Sequence, residues 1–315
     1  MILFLQAVGD QYKDRVSRHV SEEIVLLSGF DDLRAAEALA QAEIIVGFET
    51  LFTAERIRAA KRVRWFHALS AGVDQLPFDL IRERNIQISN SSGIHGPQMA
   101  ENIFGMMLSF TRGLHVMVRN QQHALWDRHY PFAELPGSTL AIVGAGRVAQ
   151  ETARKAKAFD MSVVGVRKTP RQMEYFDEVV GLERLHKVLA TADFVLILTP
   201  LTPDTRHLIG ARELSAMKRS AYLLSFGRGD VVDEPALIAA LQSGEIAGAG
   251  LDVFHKEPLP ADSPLWDMPN VIISPHTSGA SPAYFLRAFD VFLANYRAYR
   301  AGEPLPNRID PVRQY

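Results

Sequence analysis

At 315 residues the chain is longer than one hydrophobic core usually organises, so two domains are expected, and a hydrophobic fraction of 47% suffices for real cores. Its 34 basic and 36 acidic residues leave a formal net charge of -2. No global field then draws the protein to nucleic acid or an anionic membrane, neither is an expected partner, and any anion site must be local. The absence of cysteine removes disulfides, thiolate metal sites and cysteine nucleophiles together. No metal centre is expected, and a reducing, cytoplasmic setting suits the chain.

The chain opens on an apolar run at 2–5 that Gln6 and Asp10 cut short of a signal-peptide core, with no basic segment before it, so it is expected to be a first strand. Short runs rich in Val and Ile recur at 24–27, 44–48, 65–68, 140–143, 162–166, 194–198, 221–225 and 272–274, alternating with stretches of helical spacing. Several are apolar on successive residues, which predicts parallel strands buried on both faces and covered by helices, an α/β fold. No run approaches the length that crosses a bilayer, and a soluble protein is expected.

After 65–68 stands Leu69-Ser70-Ala71-Gly72-Val73-Asp74, which by itself reads as a βα turn shaped by Gly72. Pro97 is well placed in the first turn of a helix, and helical spacing then runs through 98–123. Residues 98–118 offer an apolar surface on which a homodimer is expected to form. The stretch 126–137 holds two prolines and little periodicity and reads as a loop; its Trp126 suits the core as well as a pocket.

The strand at 140–143 runs directly into Gly144-Ala145-Gly146-Arg147-Val148-Ala149, with a helix expected over 150–159. This is GxGxxA between a strand and a helix. Gly144 permits the tight turn, Gly146 lets a pyrophosphate approach the backbone, and Ala149 lets helix and strand pack closely. The helix start at Arg147 and Val148 is then aimed at the phosphates, so a nicotinamide dinucleotide is the expected cofactor. Where the strand 162–166 ends, an acidic residue would hold the ribose hydroxyls of NAD; here the chain reads Arg167-Lys168-Thr169. Two cations and a hydroxyl attract a 2′-phosphate, so NADP is expected in preference to NAD, with a solvated basic turn as the alternative.

Further on come Phe226-Gly227-Arg228-Gly229, a helix over 231–241, Gly250-Leu251-Asp252-Val253-Phe254, Glu257-Pro258-Leu259 and Ser274-Pro275-His276-Thr277. Singly, Arg228 reads as a surface arginine, Glu257 as a loop carboxylate and His276 as a structural histidine. Residues 282–301 are helical in pattern, and the tail after Gly302 is polar with three prolines.

In this order the motifs resemble the D-isomer-specific 2-hydroxyacid dehydrogenase family, over about 68–279. The resemblance implies two Rossmann-like, doubly wound parallel-sheet α/β domains with the active site in the cleft. A dinucleotide-binding domain is expected at 96–281, and a substrate domain at 1–95 plus 282–315. It further implies reduction of a small 2-keto acid, glyoxylate, hydroxypyruvate or a relative, to the D-2-hydroxy acid. Arg228 would bind the carboxylate and polarise the carbonyl, His276 would donate the proton, and Glu257 would hold the imidazole. Hydride delivery to a carbonyl develops charge on oxygen, so a cationic acid is needed there, and a guanidinium fork suits a planar carboxylate.

By the same resemblance the backbone at Ser70, Ala71, Gly72 and Val73 meets the substrate carboxylate, and Trp126 reaches a substrate pocket. Thr199, Pro200, Thr205, Phe226, Gly227, Asp252 and Gly279 border the cofactor, with Asp252 orienting it. Ser225, Phe226 and Gly227 depart from the asparagine and small residues common before the arginine. Glu257 argues against a formate dehydrogenase, where glutamine is expected, and the chain leaves no room for the regulatory domain of the phosphoglycerate branch. Arg167 and Lys168 point to the glyoxylate/hydroxypyruvate and 2-ketoacid reductase branch. A dinucleotide-sensing corepressor, which shares the Arg, Glu and His, and a formate- or phosphite-type dehydrogenase are the alternatives.

Overall fold

The computed structural model describes residues 1–5, 10–27 and 35–312, the side chains of 10–13 excepted. Gln6 therefore lies outside the described residues. The chain divides into two compact units, Met1–Ile94 with Ser281–Tyr315, and His95–Ala280. No helix among the described residues is long and apolar enough to cross a membrane.

The first unit is built on a five-stranded parallel sheet of β1 (Ile2–Phe4), β2 (Ile24–Leu26), β3 (Ile44–Gly47), β4 (Trp65–Ala68) and β5 (Gln87–Asn90). Their order is β2-β1-β3-β4-β5, a doubly wound arrangement of the flavodoxin type. The connections carry α1 (Asp10–Ser17), α2 (Ala35–Gln41), α3 (Ala54–Ala59) and α4 (Phe78–Glu83). β1, β3 and β4 are buried along their whole length because alternate residues meet different layers. Leu3, Ile45 and Phe66 pack with Ile57 and Ile81 of α3 and α4. Ile2, Phe4, Val46 and Trp65 pack with Phe289 and Phe292 of the C-terminal helix Tyr284–Ala301.

The second unit carries a 7-stranded parallel sheet. It begins with α5 (Gly96–Thr111) and α6 (Leu114–Gln122), then β6 (Thr139–Val143), α7 (Arg147–Ala158), β7 (Ser162–Val166) and β8 (Glu178–Val180). It continues with α8 (Leu185–Leu189), β9 (Phe194–Ile197), α9 (Ala211–Ser215), β10 (Tyr222–Ser225), α10 (Glu234–Ser243), β11 (Gly248–Leu251) and β12 (Val271–Ile273). The order β12-β11-β10-β9-β6-β7-β8 is the Rossmann order with one strand added. The chain reverses direction across the sheet at β6, and the residues that follow the strands there share one sheet edge.

Several expectations need correction. β5 and β8 were not anticipated as strands: β5 is polar (QISN) and β8 has three residues. The helix expected over 98–123 is two helices, because Gly113 takes a φ of +67 between them and a Cβ there would lie 2.7 Å from the Tyr130 ring. The apolar spacing of α5 serves the core, with Ile103, Phe104, Met106, Met107 and Phe110 buried. The apolar side chains open to solvent are instead Leu114, Met117 and Val118 on α6. Trp126 is 85% exposed, which excludes the core reading of that residue.

Candidate active site

The turn after β6 is shaped by contact with the neighbouring strand. Gly144 donates its N–H to the Val166 carbonyl at 2.9 Å and has a φ of +100. A Cβ there would lie 2.6 Å from the Thr199 nitrogen, so only glycine fits. Beyond it the space is open: a Cβ on Gly146 would meet nothing within 4 Å. Gly146 precedes α7 without a side-chain cap bond, and the first turn of the helix begins at Arg147 and Val148 beside that space. Ala149 and Ala153 are buried under the helix. An open volume before the N-terminus of a helix fits a dinucleotide pyrophosphate.

At the end of β7 Arg167 is half-buried, its Nη1 3.6 Å from Met173 Sδ, while Lys168 and Thr169 are exposed. Lys168 pairs with Asp204 at 2.9 Å, both side chains largely open to water. After β9, the Thr199 hydroxyl donates to the Val143 carbonyl at 3.1 Å. The Thr205 hydroxyl accepts from the Thr202 N–H and donates to the Pro200 carbonyl, each at 2.7 Å, so this loop is braced internally.

Arg228 is threaded between two loops by the glycines beside it. A Cβ on Gly227 would lie 2.5 Å from the Thr199 carbonyl oxygen, and one on Gly229 only 1.9 Å from that of Phe254. The Arg228 side chain is half-buried, and its Nη1 donates to the Gly227 carbonyl at 3.1 Å. Phe226 is buried in the sheet core.

His276 Nδ1 lies 2.7 Å from Glu257 Oε2, and the other carboxylate oxygen accepts the Phe254 N–H at 3.1 Å. A carboxylate facing Nδ1 assigns the ring proton there and leaves Nε2 as the exchanging position. The imidazole sits on a residue with φ +52, a left-handed conformation that histidine adopts only where its surroundings hold it.

That restraint comes from Asp252, buried at the end of β11. Its carbonyl accepts the His276 N–H at 2.9 Å. Its Oδ1 accepts from the Ser274 hydroxyl at 2.5 Å, the Thr277 N–H at 3.0 Å and the Ser278 N–H at 3.2 Å, and Oδ2 accepts the Ser278 hydroxyl. The carboxylate is thus surrounded by donors from the histidine loop, a role that reading Asp252 as a cofactor residue did not anticipate.

His95, which precedes α5, was also missed. Gly279 lies against its ring, since a Cβ on Gly279 would be 2.9 Å from His95 Cδ2. Gln98 Nε2 holds the Gly279 carbonyl at 3.1 Å. Burial first, and the nearby Arg228 charge second, push His95 down to about 4, so it is neutral near physiological pH. No spacing rule marks a lone histidine before a helix.

In the first unit, every carbonyl of the 69–72 loop has a donor. Tyr284 hydroxyl reaches Leu69 at 2.8 Å, the Ser91 N–H reaches Ser70 at 3.0 Å, Asn90 Nδ2 reaches Ala71 at 2.5 Å, and the Ser70 hydroxyl reaches Gly72 at 2.9 Å. The amides of Ala71, Gly72 and Val73 have no acceptor among the described residues. Satisfied carbonyls and free amides make a backbone surface suited to an anion. Asn90, at the end of a polar strand, and Ser91, just after it, carried no signal of this.

The family model for "D-isomer specific 2-hydroxyacid dehydrogenase, NAD binding domain" matches residues 104–278. A glyoxylate reductase of Korarchaeum cryptofilum is 36% identical over 264 residues, covering 82% of this chain and 79% of that one. The crystal structure of a D-isomer-specific 2-hydroxyacid dehydrogenase family protein from Aeromonas salmonicida superposes with a TM-score of 0.88 at 36% identity, covering 98% of both chains. An NADPH-dependent glyoxylate/hydroxypyruvate reductase of Sinorhizobium meliloti, solved with NADP and sulfate, superposes with a TM-score of 0.84 at 26% identity, covering 100% of this chain and 99% of that one. The chain belongs to the D-isomer-specific 2-hydroxyacid dehydrogenase family. It is an oxidoreductase that works with a nicotinamide dinucleotide on the keto and hydroxy acid pair of that family.

Proposed function

We propose that this enzyme reduces small 2-keto acids, glyoxylate and hydroxypyruvate first among them, to D-2-hydroxy acids, and that it takes NADPH in preference to NADH. The observation that carries the chemistry is the 2.7 Å contact of His276 Nδ1 with Glu257, which leaves Nε2 as the proton-donating position. The turn 144–149 would hold the pyrophosphate of the dinucleotide, whose reduced nicotinamide would supply the hydride. His276 Nε2 gives its proton to the carbonyl oxygen as negative charge develops there, and Glu257 stabilises the imidazolium that precedes the transfer. Arg228 pairs with the substrate carboxylate and polarises the carbonyl. The free amides at Ala71, Gly72 and Val73 are assigned to substrate binding as neutral donors suited to a carboxylate, and exposed Trp126 is assigned to the substrate pocket.

The names of the Korarchaeum and Sinorhizobium relatives support the choice of keto acid. The cofactor preference rests on the end of β7, where Arg167 and Lys168 stand in place of a carboxylate and the exposed Lys168–Asp204 pair can open at little cost to admit a phosphate. Pro200, Thr205, Phe226 and Gly227 are assigned to the nicotinamide side, with a homodimer as the working assembly. Initial rates with NADPH and NADH against glyoxylate, hydroxypyruvate, pyruvate and phenylpyruvate test the reading. Replacing His276 by Ala is expected to lower kcat by about 10²- to 10⁴-fold with NADPH still bound. A protein that binds NADPH and reduces none of these acids would sink the proposal and favour a binding role.

A further inference from the structure

Arg228 and Glu257 stand on different loops, one after β10 and one after β11, and their separation depends on how those loops are held together. The loops touch backbone to backbone, Gly229 against the Phe254 carbonyl, with a hypothetical Cβ on Gly229 also 2.6 Å from the His255 nitrogen. No side chain can register them at the contact, so the register must be set beside it.

One residue further along each loop stand Asp230 and His255, with His255 Nδ1 at 2.5 Å from Asp230 Oδ1. The other Asp230 oxygen accepts from Arg206, and its carbonyl accepts the His207 N–H at 2.8 Å. His255 in turn donates its backbone N–H to Glu234 Oε2 at 3.0 Å. Asp230 thereby joins the loops that follow β9, β10 and β11. Its side chain is 16% exposed although its partner's is 63% exposed, so the carboxylate is sheltered inside the junction. From His255 the next residue back, Phe254, gives its N–H to Glu257, whose far oxygen holds His276.

We propose that Asp230 and His255 are positioning residues for the reduction: their pair locks the arginine loop to the glutamate loop and so fixes Arg228 relative to His276, without touching substrate or cofactor. The inference rests on Arg228, Glu257 and His276 being the reducing site. A displacement of about 1 Å at a catalytic group can cost on the order of 100-fold in rate. With His255 largely exposed, the pair's effect on turnover can therefore exceed its effect on folding.

The test is a double-mutant cycle on the full chain with Asp230→Asn, His255→Gln and their combination, reading kcat, keto-acid KM, NADPH affinity by fluorescence, and melting temperature. Each single change is expected to lower kcat about three- to tenfold with NADPH affinity within about twofold, and the combination to lose no more than the worse single. His255→Arg, which sets a cationic donor opposite Asp230, is expected to recover most of kcat. Unchanged kcat in both singles, additive losses in the combination, or NADPH affinity falling in step with kcat would each overturn the clamp. A wild-type protein that binds NADPH but reduces no 2-keto acid would overturn the proposed function itself, which separates the two failures.

Discussion

Asp252 and Ser278 are joined twice, the serine N–H reaching the carboxylate at 3.2 Å and its hydroxyl donating to Oδ2. With the bonds from Ser274 and Thr277, the carboxylate forms the anchor from which the His276 loop is suspended. Asp252→Asn keeps the shape but turns an N–H donor toward donors. We expect a loss of about 1–3 kcal/mol in stability and a fall in kcat of about 10- to 100-fold from misplacement of His276. Denaturant unfolding and steady-state kinetics check this; an undiminished kcat would show that the loop holds its place without the carboxylate.

His67 is fully buried on β4 between two serines. Trp65 Nε1 donates to Ser89 Oγ at 2.8 Å, so the Ser89 hydroxyl is free to donate to His67 Nδ1, also at 2.8 Å. The Ser91 hydroxyl donates to the Ala68 carbonyl and accepts from His67 Nε2, which defines a neutral ring. Burial pushes His67 down from 6.5 to about 3. Since the unfolded chain takes up the proton near 6.5 and the folded one only near 3, this stability is fully present above 6.5 and is lost progressively as pH falls toward 3. The full effect is at most about 5 kcal/mol. Urea unfolding between pH 4 and 7 is expected to show a steeper acid loss for the wild type than for His67→Gln. Parallel slopes would mean that His67 is not the titrating group.

The readable parts of this chain were those in which one local pattern carries the whole requirement. GxGxxA needs only a strand before it and a helix after it, and the structure shows both around Gly144 and Gly146. Strands buried on both faces announced themselves as apolar runs, as at Phe194–Ile197. What escaped were features set by distant partners. Gln87–Asn90 is a strand because its neighbour Trp65–Ala68 flanks it, and nothing in QISN says so. Asp252, His95, Asn90 and Asp230 act through residues far along the chain, and no spacing within the sequence connects them. The break at Gly113 was visible as a glycine, yet the apolar spacing continued past it and concealed the turn.

Arg167 and Lys168 together decide the nucleotide preference in the proposed reading. With both replaced by Ala, the KM for NADPH is expected to rise about 10- to 100-fold, the loss of charge-assisted bonds to a phosphate, while the KM for NADH changes little. Because these bonds are at the surface, added salt should narrow the wild-type preference. Equal rises for both nucleotides would place the pair on the shared part of the cofactor and remove the argument for NADPH.

Asn90 holds the 69–72 loop from β5, its side-chain amide donating to the Ala71 carbonyl at 2.5 Å while its Oδ1 accepts the Ser92 N–H at 3.2 Å. Removing that donor frees the peptide between Ala71 and Gly72 to turn, and the Gly72 amide turns with it. Asn90→Ala is expected to raise keto-acid KM about three- to tenfold with NADPH affinity unchanged. Asn90→Asp should be worse, since it retains the acceptor for Ser92 but sets a carboxylate oxygen against the Ala71 carbonyl and a negative charge beside the amides proposed to bind the substrate carboxylate. If Asp is tolerated as well as Ala, the loop is held by the Ser91 and Tyr284 bonds alone, and Asn90 is dispensable for presenting the amides.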